Sequence, residues 1–261
     1  MMPAPQQYGL VGYPLGHSFS ADYFAEKFSR DHIAATYENF ELAALDSLRT
    51  LVEQRPQLRG FNVTIPHKQA ILPLLDGLSA EAEAIGAVNV VRVVRRPQGE
   101  VLLLGDNSDL IGFRESLRPL LAAHHRQALV LGTGGASRAV VVALHQLGIA
   151  PTYVSRHASS TLRRVGPHAL SQLSYEQLTA AHLEQFSLIV NCSPVGMHPH
   201  EQEAPPLPYA ALTSRHLLYD LVYNPALTRF LALGQAQGAT IKNGLEMLHR
   251  QAEAAWAMWQ Q

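Results

Sequence analysis

The sequence predicts an α/β protein built from two α/β lobes with a cleft between them, the second lobe being Rossmann-like. Short apolar runs that end in turn residues alternate with segments of helical period along the chain. A glycine-rich turn follows one apolar run and opens a helix, and polar side chains collect where other predicted strands end. At 261 residues the chain is long enough for two such lobes.

The first lobe begins with a strand and then alternates helices and strands, a pattern typical of parallel sheets. Pro66 ends the third strand, because proline cannot donate to a β-ladder, and a helix is predicted to follow it. The predicted strands are Tyr8–Gly12, Ala35–Phe40, Phe61–Ile65, Val88–Val94 and Val101–Leu104. The predicted helices are Ser20–Arg30, Leu42–Glu53 and His67–Leu75.

The second lobe begins after a helix predicted over Asp109–Ala123. The segment Pro194–Pro208 is too rich in proline for regular structure, and the last helix carries an apolar stripe that must pack on a lobe. The predicted strands are Ala128–Leu131, Thr152–Ser155, Leu188–Asn191 and Leu217–Leu221, and the helices are Ala136–Leu147 and Gly244–Gln260. We therefore expect one lobe over residues 1–110, completed by the C-terminal helix within 240–261, and a Rossmann-like lobe over 111–239.

The composition indicates a globular protein whose partner is a small molecule. The formal net charge is −1 and no Lys/Arg cluster is present, so neither nucleic acid nor a membrane surface is an expected partner. Cys192 is the only cysteine, which excludes an intrachain disulfide and is compatible with a reducing cytoplasm. Residues 1–7 lack a signal-peptide pattern, and we expect a cytoplasmic protein. Histidines with ligand-like spacing occur only at 198–200 in a loop, so no metal site is expected.

The segment Gly132–Ser137 (GTGGAS) lies between an apolar strand and a helix, the context expected of a dinucleotide-binding loop. Its glycines would let a diphosphate approach the helix N-terminus, although a plain strand-to-helix turn is the alternative. The following strand ends in Ser155 and Arg156, where NAD-binding proteins carry an acidic residue. A guanidinium beside a hydroxyl suits the 2′-phosphate of NADP, while an ordinary exposed arginine is the simpler interpretation.

Polar side chains also follow the strands of the first lobe. Asn62 and Thr64 project from one strand face, and Lys68 is expected one helical turn beyond Pro66. Asn89 and Asp109 could each bond a hydroxyl group, although Asp109 would also serve as a helix cap and Lys68 as a solvated lysine. The remaining candidates are the hydroxyls of Ser18 and Ser20, which suit either a helix N-cap or a carboxylate ligand.

Taken in order, these segments resemble the shikimate dehydrogenase family, in which a serine pair, an Asn-Val-Thr-x-Pro-x-Lys segment, a Gly-Ala-Val-Asn segment and a Gly-Asp-Asn-Thr-Asp segment precede the glycine loop. The resemblance continues through Asn191–Met197, Tyr223–Pro225 and Gly244–Leu248, and so spans nearly the whole chain. Two residues depart from the family pattern. Ser108 replaces the common threonine and keeps its hydroxyl, and His157 stands where a hydroxyl residue is usual in the adenosine site.

The resemblance implies a role for each matching residue. Lys68 and Asp109 would be the catalytic pair at the hydroxyl that is oxidised. The substrate-binding residues would be Ser18, Ser20, Asn62, Thr64, Lys68, Asn89, Asp109, Tyr223 and Gln251. The NADP-binding residues would be Gly132, Gly134, Gly135 and Ala136 at the diphosphate, Ser155 and Arg156 at the 2′-phosphate, and Met197, Leu221 and Gly244 around the nicotinamide.

The activity implied is the reversible NADPH-dependent reduction of 3-dehydroshikimate to shikimate, in the chorismate route to aromatic amino acids. Lys68 would stabilise the developing alkoxide, either by donating the proton or by a hydrogen bond alone. The alternatives are a quinate/shikimate dehydrogenase that uses NAD, a non-catalytic nucleotide-sensing member of the fold, and another two-lobed dehydrogenase such as one acting on a folate. The intact Lys68 and Asp109 pair argues against the nucleotide-sensing protein, and the serine pair argues against the folate enzyme. Comparing both cofactors and both substrates would separate the quinate enzyme. The chain would be a monomer or a homodimer.

Overall fold

The computed structural model describes residues 4–16 and 19–261, and these form two compact units. Unit 1 comprises Met1–Ser108 together with Ala252–Gln261, and unit 2 comprises Asp109–Gln251. Each unit contains one six-stranded sheet with helices. The predicted α/β class with a Rossmann-like unit is confirmed.

Unit 1 is built on a mixed sheet. Its strands are β1 (Gln6–Gly12), β2 (Ala35–Glu41), β3 (Leu58–Val63), β4 (Gly77–Leu78), β5 (Val90–Arg95) and β6 (Val101–Asp106). Its helices are α1 (Phe19–Arg30), α2 (Leu48–Glu53) and α3 (Ala80–Ile85). The strand order is β2-β1-β3-β5-β6-β4, in which β1 runs parallel to β2 and β3, while β5 runs antiparallel to β3 and β6. The sequence did not predict β4 and α3.

Both faces of this sheet are covered by apolar side chains. Phe61 of β3 packs in a cluster with Leu48 of α2, and both are fully buried. Tyr8 of β1 packs in a second cluster with Trp259, which also donates a hydrogen bond from its indole N–H to the Val91 carbonyl at 3.1 Å. Tyr8 and Val91 belong to unit 1 with Trp259, so the last residues of the chain form part of its core.

The helix predicted over His67–Leu75 is wrong. The chain there forms successive turns and one short 3-10 turn at Leu72–Leu74. Pro73 explains the difference, because proline lacks the N–H that an α-helix needs and its ring clashes with the carbonyl four residues earlier. Lys68 consequently lies in a turn and not on a helix.

The helix predicted over Leu42–Glu53 is too long. Leu42 continues the extended chain of β2, since its N–H donates to the Gly12 carbonyl at 3.0 Å. Only the second half is helical, as α2. Ser47 occupies the N-cap position of α2, but its side chain makes no capping hydrogen bond.

Unit 2 contains a parallel sheet with helices. Its sheet strands are β7 (Gln127–Leu131), β8 (Ala150–Ser155), β11 (Gln172–Ser174), β12 (Leu188–Asn191), β13 (Leu217–Asp220) and β14 (Thr240–Lys242), and a separate hairpin consists of β9 (Arg163–Val165) and β10 (His168–Leu170). Its helices are α4 (Ser108–Leu117), α5 (Gly135–Gln146), α6 (Ala180–Gln185) and α7 (Arg229–Ala236), with α8 (Leu245–Trp259) ending among the residues of unit 1. The sequence did not predict β9, β10, β11, β14, α6 or α7.

The strand order of unit 2 is β11-β8-β7-β12-β13-β14, with every neighbouring pair parallel. In chain order these six strands read 3-2-1-4-5-6, which is the order of a dinucleotide-binding Rossmann sheet. The order reverses between β7 and β12, and ligands of such sheets bind at this reversal, beyond the carboxyl ends of the strands.

The helix predicted over Asp109–Ala123 ends early, at Leu117, and a 3-10 turn over Arg118–Leu120 follows it. Pro119 accounts for the early end in the same way as Pro73 does in unit 1. The segment Pro194–Pro208 lacks helices and strands as predicted. Within residues 4–16 and 19–261, no helix is long and apolar enough to cross a membrane.

Candidate active site

The predicted substrate-binding residues of unit 1 lie along one edge of its sheet. β1 and β3 end at this edge, and β5 begins there because it runs antiparallel to β3. The register places Asn62 beside Val90 and Val90 beside Asp106, so the ends of three strands are level. The predicted residues at this edge are Asn62, Thr64, Lys68 and Asn89.

Hydrogen bonds connect several of these side chains through Tyr37 of β2, a residue that the sequence interpretation missed. The Tyr37 hydroxyl donates to Oδ1 of Asn62 at 2.8 Å and also bonds the side chain of Ser20. Nδ2 of Asn62 in turn donates to the Asn89 carbonyl at 3.1 Å. Burial raises the pKa of Tyr37 well above the ordinary range of a phenol, so the hydroxyl keeps its proton at neutral pH. Tyr37 therefore connects Ser20 with Asn62.

The side chain of Asn89 holds the start of α4. Its Oδ1 accepts a hydrogen bond from the Ser108 N–H at 2.7 Å, and its Nδ2 donates to Ser108 Oγ at 3.1 Å. Ser108 is the first residue of α4, so its N–H has no acceptor within the helix and Asn89 supplies one. Asp109 follows directly and is only 3% exposed. The turn that carries the predicted catalytic aspartate is thus fixed by a side chain preceding β5.

Lys68 is half-buried and lies in the turn after Pro66. Its carbonyl accepts a hydrogen bond from the Val88 N–H at 2.7 Å, which ties this turn to the segment before β5. Lys68 belongs to unit 1 and Asp109 to unit 2. Ser18, the predicted partner of Ser20, lies outside the described residues.

A pocket of about 900 Å³ opens in unit 2 at the carboxyl ends of β7, β8 and β12. This is where the strand order reverses, and so it is the expected dinucleotide site of a Rossmann sheet. Five of the predicted NADP-binding residues line it: Gly132, Gly134, Ser155, Arg156 and Met197. Gly135 and Ala136 are the first two residues of α5, whose N-terminus follows the pocket wall.

The glycine loop is shaped to accept a diphosphate. Gly132 has a φ of +94°, and a Cβ there would lie 3.2 Å from the Cβ of Ser193. Gly134 is the N-cap of α5, and a Cβ there would meet no atom within 4 Å because it would point into open space. The loop therefore leaves room in front of the N–H groups and positive dipole end of a twelve-residue helix, a favourable position for an anion.

The end of β8 carries basic groups and no carboxylate. Ser155, Arg156 and His157 follow one another at the pocket wall. Arg163 of β9 lines the same pocket and donates from Nη2 to the Thr133 carbonyl at 3.1 Å. The sequence interpretation missed Arg163, and the only local signal was a basic pair followed by a Gly-Pro turn.

The residues predicted around the nicotinamide divide into two groups. Met197 lines the pocket and is 50% exposed. Leu221 and Gly244 are in close contact, since a Cβ on Gly244 would overlap the Leu221 carbonyl oxygen. Tyr223 is exposed after β13, and Gln251 is half-buried near the end of unit 2. The residues that line the pocket do not include Leu221, Gly244, Tyr223 or Gln251.

A buried network supports the loops after β12 and β13. Asp220 is fully buried and accepts hydrogen bonds from Asn191 Nδ2 at 2.9 Å, the Val222 N–H at 3.0 Å and Thr228 Oγ1 at 2.6 Å. Asn191 Oδ1 accepts from the N–H and hydroxyl of Ser193, which lines the pocket. Burial raises the pKa of Asp220 to about 6, and the three donors oppose that rise. This network fixes one wall of the pocket.

Comparison with known proteins gives consistent results along the chain. A family profile described as the shikimate dehydrogenase substrate binding domain matches residues 10–91. The shikimate dehydrogenase (NADP(+)) of Oleidesulfovibrio alaskensis is 38% identical over 259 residues, which cover 97% of this chain and 89% of that protein.

Solved structures agree with this match. The shikimate dehydrogenase of Aquifex aeolicus superposes with a TM-score of 0.83 at 30% identity, covering 99% of this chain and 94% of that one. The shikimate 5-dehydrogenase of Thermus thermophilus, solved in complex with NADP(H) and shikimate, gives a TM-score of 0.81 at 32% identity, covering 97% and 93%. The resemblance predicted from the sequence is confirmed.

Proposed function

The chain belongs to the shikimate dehydrogenase family, and from this premise we propose that it catalyses the reversible NADPH-dependent reduction of 3-dehydroshikimate to shikimate. This reaction is a step in the formation of chorismate and the aromatic amino acids. The observation that carries the proposal is the combination of an NADP-compatible Rossmann pocket in unit 2 with a row of polar side chains able to bond hydroxyl groups at the sheet edge of unit 1.

The residues of unit 2 fit NADP. The pocket lies at the reversal of strand order, and the loop before α5 has open space at Gly134 for a diphosphate. Ser155 and Arg156 stand where NAD-binding sheets carry a carboxylate, so a 2′-phosphate would meet a positive charge. When bound, NADPH supplies the hydride. Met197, Leu221 and Gly244 would border its nicotinamide.

The sheet edge of unit 1 fits a carboxylated polyol. Ser20 would bind the substrate carboxylate together with Ser18. Asn62, Thr64 and Asn89 would bond the ring hydroxyls, with Tyr223 and Gln251 completing the set. Tyr37 and Ser108 hold Asn62 and Asn89 in fixed rotamers, so these amides do not need to be ordered when the substrate binds.

Lys68 and Asp109 would serve as the catalytic pair. An ammonium group near the reacting oxygen stabilises the charge that develops there as the carbonyl becomes an alkoxide. Lys68 would donate a proton to that oxygen and accept it again in the reverse direction. Asp109 would orient the ammonium and accept a hydrogen bond from the substrate hydroxyl.

The decisive experiment mixes the purified protein with shikimate and either NADP or NAD, and follows reduced nicotinamide by its absorbance. Rapid reduction of NADP is the expected result. Oxidation of quinate at a comparable kcat/KM, particularly with NAD, would instead indicate a quinate/shikimate dehydrogenase. Absence of turnover with either cofactor would favour a nucleotide-sensing role.

We further propose a cytoplasmic location, which the lone cysteine supports. We also propose that the protein is a monomer or a homodimer, two states that sedimentation would distinguish.

A further inference from the structure

The crossover between β8 and β11 contains a hairpin. Parallel strands of a Rossmann sheet are usually joined through a helix, but residues 156–171 instead contain β9 and β10, which pair antiparallel. Val165 and Leu170 of the hairpin are buried at 0% and 2% exposure. The hairpin is therefore a packed part of unit 2 and holds its first residue, Arg163, in a defined position.

Two contacts fix the Arg163 side chain. Its Nη2 donates to the Thr133 carbonyl of the glycine loop at 3.1 Å, and its guanidinium carbon lies 5.7 Å from the centre of the Tyr153 ring. Tyr153 is fully buried, and its hydroxyl lies 3.2 Å from Ser137 Oγ, which donates to the Gly134 carbonyl. A guanidinium carries five N–H donors, so the bond to Thr133 uses only part of its capacity.

The charges along the pocket favour a phosphate at this end. Arg156 and Arg163 both line the pocket. Among the described lining residues the single carboxylate belongs to Glu203, and it pairs with His200 at 3.2 Å. Two guanidinium groups can bind one phosphate through several charge-assisted hydrogen bonds, which a ribose hydroxyl cannot match.

We propose that Arg163 binds the adenosine 2′-phosphate of NADP together with Arg156, and that the hairpin thereby sets the preference of the enzyme for NADP over NAD. This inference rests on the proposed NADP-dependent activity. The bond to Thr133 also makes Arg163 a support of the glycine loop. Loss of the support to the glycine loop would weaken the binding of NADP and NAD alike. Loss of the contact with the 2′-phosphate would weaken only the binding of NADP, because NAD lacks this phosphate.

The experiment compares Arg163→Ala with Arg164→Ala, the adjacent exposed arginine that does not line the pocket. Calorimetry measures the binding of adenosine 2′,5′-bisphosphate and of 5′-AMP to each protein, without any turnover. We expect R163A to weaken the bisphosphate by about 10- to 100-fold, as the loss of a charged hydrogen-bond pair does, and to change 5′-AMP little. R164A should bind both nucleotides as the wild type does. Steady-state kcat/KM with NADP should fall in R163A while kcat/KM with NAD is retained.

Equal weakening of both nucleotides would overturn the proposal and leave Arg163 as a support of the glycine loop. Unchanged binding of the bisphosphate would overturn it as well. Should R163A lose its fold by circular dichroism, Arg163→Lys keeps the charge but loses the planar fork, and a loss confined to the bisphosphate is again the expected result. Failure of the proposed function can be distinguished from failure of the Arg163 proposal. In that case the wild-type protein itself would not oxidise shikimate with either cofactor.

Discussion

The Tyr37 hydroxyl donates a hydrogen bond to Asn62 Oδ1 across 2.8 Å, between two residues 25 positions apart in the chain. Tyr37 carries no recognisable motif, yet it links Ser20 with Asn62 at the sheet edge of unit 1. Its effect on the reaction would be indirect, through the position of the Asn62 amide, which we propose binds the substrate.

Replacing Tyr37 by phenylalanine should raise the KM for shikimate by about 2- to 12-fold, the effect of one neutral hydrogen bond, and change kcat little. The matched control is Tyr8→Phe, which removes the hydroxyl of a buried tyrosine of unit 1, one that donates to Gln6 at 3.0 Å. Both variants should lose some stability in urea, but only Y37F should raise KM. An equal rise in KM for both would mean that Tyr37 matters only for the packing of unit 1.

Replacing Lys68 by alanine should lower kcat by about 10²- to 10⁴-fold, the range for a group that transfers a proton or stabilises the alkoxide. The KM for shikimate should change less, because the amides and hydroxyls at the sheet edge remain. Gln69→Ala, at the exposed neighbouring residue, is the control and should keep wild-type turnover. Turnover near the wild-type value in K68A would remove Lys68 from the mechanism.

Two glycine variants should separate stability from cofactor binding. A Cβ on Gly244 would overlap the Leu221 carbonyl oxygen, so Gly244→Ala should lower the free energy of unfolding by roughly 1–3 kcal/mol. A Cβ on Gly134 meets no atom within 4 Å, so Gly134→Ala should stay within about 0.5 kcal/mol of the wild type. G134A should nevertheless raise the KM for NADP, because the methyl group fills space in the pocket. Unfolding curves and initial rates measure the two effects, and a wild-type KM in G134A would contradict the diphosphate assignment.

The contribution of His145 to stability should fall as the pH drops below about 6.5, the ordinary pKa of a histidine in an unfolded chain. Burial lowers the pKa of His145, and the nearby His168, whose ring stacks on it at 3.7 Å, lowers it further. A histidine with a depressed folded-state pKa is neutral in both states at higher pH, while at lower pH the unfolded chain binds the proton more readily. The free energy of unfolding of the wild type should therefore fall relative to that of His145→Asn between about pH 7.5 and 5.5. The opposite effect of Asp220, whose pKa burial raises to about 6, is common to both proteins and does not enter this difference. Between about pH 7.5 and 8.5 the two proteins should change in parallel, and equal slopes at acid pH would contradict the assignment to His145.

The sequence predicted the parts of the molecule whose determinants are local. The strand, glycine turn and helix around Gly132 are contiguous, and the strand end at Ser155 follows from a short apolar run. These features appear in the structure where the sequence placed them, although the roles of their residues stay predictions. Arg163 was not predicted, because its bond to Thr133 connects residues 30 positions apart through a hairpin that has no periodic signature.

Two of the three errors in the helices have a common cause. Apolar residues recur at helical spacing over His67–Leu75 and over Asp109–Ala123, but each segment contains a proline that the periodicity does not register. Pro73 and Pro119 lack the N–H that an interior helical position needs.

The reciprocal bonds between Asn89 and Ser108 have a thermodynamic consequence. The Asn89 amide bonds the first turn of α4, and Asn89 directly precedes β5, which pairs with β6. The backbone of Asp109 is therefore already ordered when the protein has folded. In its proposed role, Asp109 would meet the substrate with its backbone already ordered, so binding free energy would not be consumed in ordering that segment. This also accounts for serine as a substitute for threonine at position 108, since the shared hydroxyl, and not the methyl group, accepts the bond from Asn89.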